Sequence, residues 1–471
     1  MKPRLKSALY LICLPFVLLI LYTYQNFNGG SITFQPKMSN GKIGTKYSER
    51  IPETRTSSKQ TYTKQVVVKK AISQFDNEKQ RKVVPEKQCA VNLTWPENSD
   101  TWQIVDNMNN SFVFSAFAEP ENHRVKIMGL HRLNSNSSKS CICWFYKDAN
   151  KPRIIQTNGT IVLLNDHHGK TYGAMMVTCD LNDKGVWYAV SVTPSIKDKP
   201  LNRMILHYPE KTVQRNFTLC LSVMHSSFGN VMGFVEALEF DKVLGANHFV
   251  IHHFSSSQPM KIVLNDYIKR GEVTLLNYKL PIGTKDVHYF GQIAAVNDCV
   301  YRSRGISRYV VVVDIDEILI PYTFNDWMEM MDNLTSAEPK ASSFSFRTTF
   351  FDTHMPDDTR GYRQKDLATR YKLRTLLKVW RENYIFEYNS RCKVIGKPEL
   401  IDVMAIHTVA KQKRAHKLIH VNYTTALLHH YRLKNSSPSR IFNDKTRQYS
   451  SRVVDRVIKR FNSIPTPCIH V

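Results

Sequence analysis

From Asn216 to Pro321 apolar β-type runs alternate with segments of helical period, and this alternation constrains the fold more than any other feature of the chain. "FTLCLSVMH", "ANHFVIHHF", "EVTLLNYKL" and "RYVVVVDIDEILIP" read as strands. "GNVMGFVEALEFDKVLG", "PMKIVLNDYIKRG" and "YFGQIAAVNDCVYRSRGIS" lie between them with apolar residues every three or four positions. Strands that are apolar on both faces, separated by helices, predict a parallel sheet covered on both sides, hence an α/β domain. In such sheets ligands bind beyond the carboxyl ends of the strands. The fourth strand candidate ends there in three acids, Asp314, Asp316 and Glu317. If the extended geometry persists to Asp316, strand alternation points Asp314 and Asp316 to the same side. Two such carboxylates repel unless a cation lies near them, and a hard divalent ion, Mn2+ or Mg2+, satisfies both while leaving positions for diphosphate oxygens. A lone D-x-D triplet is weak, and a solvated turn or helix cap is its ordinary explanation. Its position after a valine run is what gives it weight. Glu317 reads as a supporting residue or a salt-bridge partner.

The rest of the chain indicates the compartment. Lys2, Arg4 and Lys6 precede an uncharged apolar stretch, which predicts a cytoplasmic tail over residues 1–7 and a single-pass type II signal-anchor over 8–24, with a cleaved signal peptide as the rival. N-x-S/T sequons begin at Asn92, Asn109, Asn136, Asn158, Asn216, Asn333, Asn422 and Asn435. Such sites are acceptors only in the secretory pathway. Besides Cys13 in the anchor, Cys89, Cys141, Cys143, Cys179, Cys220, Cys299, Cys392 and Cys468 form an even set, which predicts disulfides. The C-x-C spacing of Cys141 and Cys143 is weak for zinc. A net charge of +25 across 471 residues would suit nucleic acid, but the secretory signals exclude that partner. Residues 25–88 are poor in large apolar side chains and read as a flexible lumenal stem. Residues 89–215 carry short β-favouring runs between turn residues and predict a small, sandwich-like β-rich module. The domain containing the acidic cluster then spans 216–471.

Several landmarks in the same order carry a family resemblance: "EALEFDKVLGANHFVIHHFSSS", "QIAAVNDCVYR", "YVVVVDIDEILIP", "CKVIGKPELIDVMAIH" and "HHYR". From about Cys220 to Arg432 the chain resembles glycosyltransferase family 92, which includes animal and plant β-galactosyltransferases. The resemblance implies a GT-A-like, Rossmann-like fold and an inverting, metal-dependent transfer from a UDP-sugar, with galactose the default, onto a glycan or glycoprotein hydroxyl. With the anchor it implies a Golgi membrane enzyme whose catalytic body is lumenal. It makes Asp314 and Asp316 the ligands of the metal and diphosphate. It makes His407 the late histidine of the metal shell, with His430 as competitor. Lys393 and Arg432 are candidates for charge on the departing diphosphate, which needs cations, and exposed ion pairs are their ordinary alternative. For Asp298 it suggests a donor contact, with Arg302 beside it. An intrahelical i,i+4 pair of Asp298 with Arg302 explains both residues equally well.

Inverting transfer also needs a base for the acceptor hydroxyl. Asp352 in "TTFFDTHMPDD" is the choice, ahead of Glu387 and Glu399. Family members commonly carry a small residue near that place, so the role is not carried over by resemblance. Two other classes compete. A non-catalytic glycan-binding or adhesion membrane protein would use the β-rich module and basic stem. A glycoside hydrolase would need two opposed carboxylates at a separation that a D-x-D pair does not supply.

Overall fold

A computed structural model describes residues 92–93 and 100–464, apart from 134–138, 150–153, 182, 184 and 434–438. The expected tail, anchor and stem (1–7, 8–24 and 25–88) lie outside the described residues, as do Asn136, Asn435, Cys13, Cys89 and Cys468. Among the described residues no helix is long and apolar enough to cross a membrane.

The β-rich segment supplies β1 (Gln103–Ile104), β2 (Ser111–Glu119), β3 (Arg124–Arg132), β4 (Ser140–Tyr146), β5 (Ile154–Leu163), β6 (Tyr172–Asp180), β7 (Ala189–Thr193) and β8 (Met204–His207). It is not the sandwich the sequence suggested. The strand order β2-β3-β6-β5-β4-β7-β8 closes on itself through a parallel β2–β8 pairing, Ala116 opposite Leu206 and Phe117 opposite His207. The result is a seven-stranded barrel with β1 appended to β2. Alternation along single strands fixes which residues face inward, but not whether a second sheet or the same sheet's far side receives them. Val125 and Ile127 of β3, Val177 of β6 and Val190 and Val192 of β7 share the barrel interior with the Cys143–Cys179 disulfide. Cys141 is buried there as a free thiol.

The outward faces of β3 and β6 are apolar as well. Met128 and Met176 pack against Ile293, Ala294 and Tyr301 of a helix of the following segment. The described residues of the barrel and of the following segment accordingly belong to one compact unit.

That following segment runs β9 (Arg215–Leu221), α1 (Val231–Leu244), β10 (His248–His253), α2 (Gln258–Lys269), β11 (Val273–Asn277), α3 (Gln292–Arg302) and β12 (Ser307–Val313). Asn230 caps α1 by accepting from Gly233 N, and Ser257 caps α2 by accepting from Met260 N. The predicted alternation is observed, and these four strands are parallel in the order β11-β10-β9-β12. The valine run is explained by two-sided burial. Val311 and Val313 enter the core beneath α1 and α2, whereas Val310 and Val312 face α3. A disulfide, Cys220–Cys299, ties β9 to α3.

The sheet is mixed rather than parallel throughout. The chain continues through β13 (Glu317–Pro321), β14 (Ala341–Phe346), β15 (Thr348–Asp352), β16 (Trp380–Glu382), β17 (Lys393–Gly396), β18 (Ile401–Met404), β19 (Val409–Gln412), β20 (Lys417–Val421), β21 (Ala426–Arg432) and β22 (Arg440–Phe442). β17 lies antiparallel to β12 and is followed by β14 and β20 in the same sheet. A second sheet has the order β13-β21-β15-β16-β22.

Here a second expectation fails. "RYVVVVDIDEILIP" is not one strand, because it ends at Val313, turns through residues 314–316 and resumes at Glu317 in the other sheet. Asp314 and Asp316 are therefore not placed by strand alternation. They occupy the turn that joins two sheets.

Candidate active site at the junction of two sheets

The turn is held by reciprocal hydrogen bonds. Asp314 N donates to Glu317 Oε2 at 2.9 Å, and Glu317 N donates to Asp314 O at 3.1 Å. It lies at the carboxyl end of β12, beside β9, where the order of the parallel strands reverses. That is the crevice position of open α/β sheets.

Lys393, the first residue of β17, is buried beneath the turn. Its Nζ lies 2.8 Å from Asp314 Oδ2 and 3.2 Å from Glu317 Oε2. Burial acts to lower its pKa, but the two carboxylates override this and raise it, so the ammonium is charged. For Asp314, burial acts to raise the pKa. Lys393, His430 and a hydrogen bond from Ser222 together hold it below the usual carboxylate range. Gln292, at the start of α3, donates to Asp314 Oδ1 at 3.2 Å.

Asp316 is the most open of the three acids, its side chain 34% exposed against 2% for Glu317. Its carbonyl accepts from Tyr431 N at 2.8 Å, and its Oδ2 lies 3.2 Å from His430 Nε2. His430 Nδ1 lies 3.1 Å from Glu317 Oε1. Burial works against protonation of His430, but the hydrogen bonds and charge of Asp316 and Glu317 raise its pKa to about 9. Three carboxylates thus meet two cations, and one negative charge of the cluster is left over.

His407 lies near this group. Its Nδ1 faces Cys392 O at 3.2 Å and must carry the proton, which leaves Nε2 with its lone pair. Burial, with Lys393 nearby, lowers its pKa, so it is neutral at pH 7. A neutral imidazole and an open carboxylate are suitable donors for a divalent ion. The expected ligands Asp314, Asp316 and His407 do not form a ready cage, however. Among the described residues, the group of three whose ligand atoms all lie within 4.8 Å of one another is Asp166, His168 and His288.

Arg432 lies two residues beyond His430 on β21, and its guanidinium sits 5.1 Å from the centre of the Phe350 ring. His430 meets the same ring edge-on at 5.2 Å. Phe386 packs 4.7 Å from Phe350, Tyr384 lies 5.0 Å from Phe386 and is 56% exposed, and Arg391 lies over both phenylalanines. An aromatic and cationic wall therefore continues outward from Asp316. On the other side, beyond β9, β10 and β11, His225 stacks on Phe290 at 4.0 Å, and Lys279 lies over the Phe254 ring.

Other expected site residues are placed differently. Lys393 is too deeply buried to serve as an exposed phosphate contact, and it neutralises the acidic turn instead. Asp298 and Arg302 form the i,i+4 pair of the alternative reading, with Arg302 Nη2 2.8 Å from Asp298 Oδ1. Asp298 is fully buried among Ser115 of the barrel, His252 and Arg302, and is not brought to the turn. Asp352 closes β15 opposite Arg432, where it is 2% exposed, bonds Arg440 Nη2 at 2.9 Å and accepts from His354 N. Glu387 pairs with Arg347, and Glu399 accepts from Gly305 N. Glu317 carries more of the geometry than its sequence position suggested, and Gln292, Ser222 and Phe350 were not singled out at all. The sequence signal for Ser222 and Gln292 was their position just after a strand and at a helix start, whereas Phe350, in the middle of β15, carried none.

The sequence model of glycosyltransferase family 92 matches residues 215–466, more than half of the chain, and the match begins at the first residue of β9. The chain belongs to glycosyltransferase family 92. This family 92 chain is 24% identical over 229 residues to a β-1,4-galactosyltransferase, galt-1, of Caenorhabditis elegans, an alignment covering 45% of this chain and 52% of that protein. It is 23% identical over 202 residues to a glycosyltransferase family 92 protein of the same nematode, covering 39% of this chain and 40% of the other. Over 78 residues it is 33% identical to a galactan β-1,4-galactosyltransferase of Arabidopsis thaliana, covering 16% of each. The family 92 chain therefore spans about half or less of the length of these curated relatives. Among solved structures, S. aureus TarS in complex with UDP is 8% identical, with 53% of this chain and 66% of that chain covered and a TM-score of 0.26, too low to carry an argument.

Proposed function

We propose that this family 92 chain is a metal-dependent inverting glycosyltransferase of the GT-A type that moves galactose from UDP-galactose onto a glycan hydroxyl. The observation that carries the reading is the acidic turn itself: a partly neutralised group of carboxylates at the switch point of an α/β sheet, with the neutral imidazole of His407 close enough to feel the charges of Lys393, Glu317 and Asp314. Relatives named as galactosyltransferases support the donor. A lumenal, Golgi-anchored body fits the sequons, because each described sequon asparagine (Asn92, Asn109, Asn158, Asn216, Asn333 and Asn422) is exposed.

In this reading Asp316 and His407 would hold Mn2+ or Mg2+, and Asp314 is kept in line by Lys393 and Gln292. A bound ion of this kind neutralises charge on a diphosphate leaving group. Arg432 adds positive charge on the same side. The acceptor oxygen attacks the anomeric carbon, the bond from that carbon to the diphosphate oxygen breaks with its electron pair leaving on UDP, and Asp352 takes the hydroxyl proton. For that transfer Asp352 must part from Arg440. Asp352→Asn is expected to lower kcat on the order of 100-fold or more, with the donor KM unchanged. A thermal midpoint that falls while kcat holds would leave Asp352 as a structural partner of Arg440.

The wall of Phe350, Phe386 and Tyr384 is assigned to an apolar sugar face. Tyr384→Ala, at an exposed ring, is expected to raise the acceptor KM about 3- to 10-fold with little change in stability. An unchanged acceptor KM would remove Tyr384 from the site. The reading as a whole is tested by assaying transfer from several UDP-sugars with Mn2+ and with a chelator. Chelator-sensitive transfer from UDP-galactose supports it. Glycan binding without donor binding or hydrolysis would favour the adhesion class instead.

A further inference from the structure

A second cluster of metal-ligating side chains lies at the seam between the barrel and the α/β part. Asp166 and His168 project from the loop between β5 and β6, and His288 precedes α3. Asp166 uses both oxygens, Oδ1 against His168 Nε2 and Oδ2 3.7 Å from His288 Nδ1. The two imidazole rings lie 3.9 Å apart, and one ligand atom from each of the three residues falls within 4.8 Å of the others.

The backbone brings the two segments together independently of these side chains. Tyr172 N donates to Asp286 O at 2.8 Å, and Thr171 Oγ1 donates to Asp286 Oδ1 at 3.2 Å. The cluster opens on a pocket lined by Leu164, Asn165, His167 and Gln292. Gln292 is the residue that donates to Asp314, so this seam backs directly onto the acidic turn.

We propose that Asp166, His168 and His288 form a zinc site that clamps the β5–β6 loop of the barrel to the segment preceding α3. Two imidazoles and one carboxylate form a donor set suited to Zn2+ in tetrahedral coordination, with water in the fourth position. The same set, with two nitrogens to one carboxylate, suits Mn2+ less well, since that ion favours oxygen ligands, whereas the acidic turn offers a larger share of carboxylate oxygen. The two sites are therefore distinguished by metal as well as by place. An ion-free relay, in which both imidazoles share the Asp166 carboxylate, is the competing account.

The test uses the full chain carrying Asp316→Asn, so that the acidic turn is weakened as a metal ligand. The protein is equilibrated with Zn2+, dialysed against a weak chelator, and its metal content is measured. Stoichiometric Zn2+ is expected to be retained, and the thermal midpoint is expected to rise with Zn2+. Adding His288→Gln or His168→Gln is expected to abolish that rise and weaken Zn2+ binding by at least about 10-fold. Circular dichroism and the midpoint without metal show whether each variant is folded, and Asp166→Asn replaces any variant that is not. Absence of retained zinc, or retention unchanged by the histidine substitutions, overturns the site in favour of the relay or of a site elsewhere.

Discussion

Asp316→Asn is expected to reduce transfer on the order of 1000-fold while leaving the folded structure intact. The carboxylate is the most solvent-open of the acidic turn. Its residue is fixed by the bond from Tyr431 N to its own carbonyl, which an asparagine keeps. The substitution preserves shape and backbone pairing but takes from His430 one of its two carboxylates; unlike the Lys393 ammonium, that imidazole can answer by giving up its proton near neutral pH, so stability should fall by no more than about 2 kcal/mol. Asp314→Asn is expected to behave differently. Asp314 is one of two carboxylates on the buried Lys393, and its loss leaves that ammonium with Glu317 alone. Removing one partner from such a buried group costs on the order of 3 kcal/mol, so both transfer and stability should fall. Donor titration by calorimetry with and without Mn2+, alongside chemical denaturation, separates the two aspartates. Full transfer by the Asp316 variant removes that residue from the mechanism. Equal stability losses at both positions would show that Lys393 does not divide their roles.

How far such a site is legible in sequence depends on how local its determinants are. The strands and helices of the α/β part were readable because their apolar periods arise within each segment. Val310 to Val313 alternate between two cores, and α1 has apolar residues at helical spacing. The break after Val313 was only partly readable: a turn is the ordinary explanation of a D-x-D triplet, but the apolar run resumes at Ile318–Ile320 with no glycine or proline before it to fix the turn. Only the pairing of β13 with β21, more than 100 residues later, moves Ile318–Ile320 into another sheet. Barrel closure is non-local in the same way, since β2 and β8 meet across most of the module. Charged residues were the hardest to place. Lys393 is charged and next to an apolar run, which suits either a phosphate contact or a buried counter-ion. What selects the second is the arrival of both Asp314 and Glu317 from the far side of the sheet junction.

Asp298 shows how a stability measurement can separate a donor contact from a structural role. Its carboxylate accepts from Ser115 Oγ at 2.6 Å and Arg302 Nη2 at 2.8 Å, and it lies 2.8 Å from His252 Nε2. Arg302 also reaches Asp100, which in turn bonds His207 of β8. One buried carboxylate thus ties α3 to β10 and to the barrel. Asp298→Ala leaves Arg302 and His252 short of an acceptor in a dry interior, and the expected cost is about 3–5 kcal/mol. Burial tends to raise the pKa of Asp298, but Arg302 and His252 depress it far below the ordinary carboxylate range. A depressed folded-state pKa means the stabilisation is complete above the unfolded value and is lost only as pH falls towards the folded one. The deficit of the variant should therefore be full at neutral pH and shrink only in strong acid. Asp298→Asn keeps one acceptor and should lose less. In both variants the donor KM of the molecules that remain folded should stay within about 2-fold of the parent, because the side chain has no route to the acidic turn except through α3. A raised donor KM at unchanged stability would show that the α3 carboxylate meets the nucleotide sugar directly, as the family resemblance alone suggested.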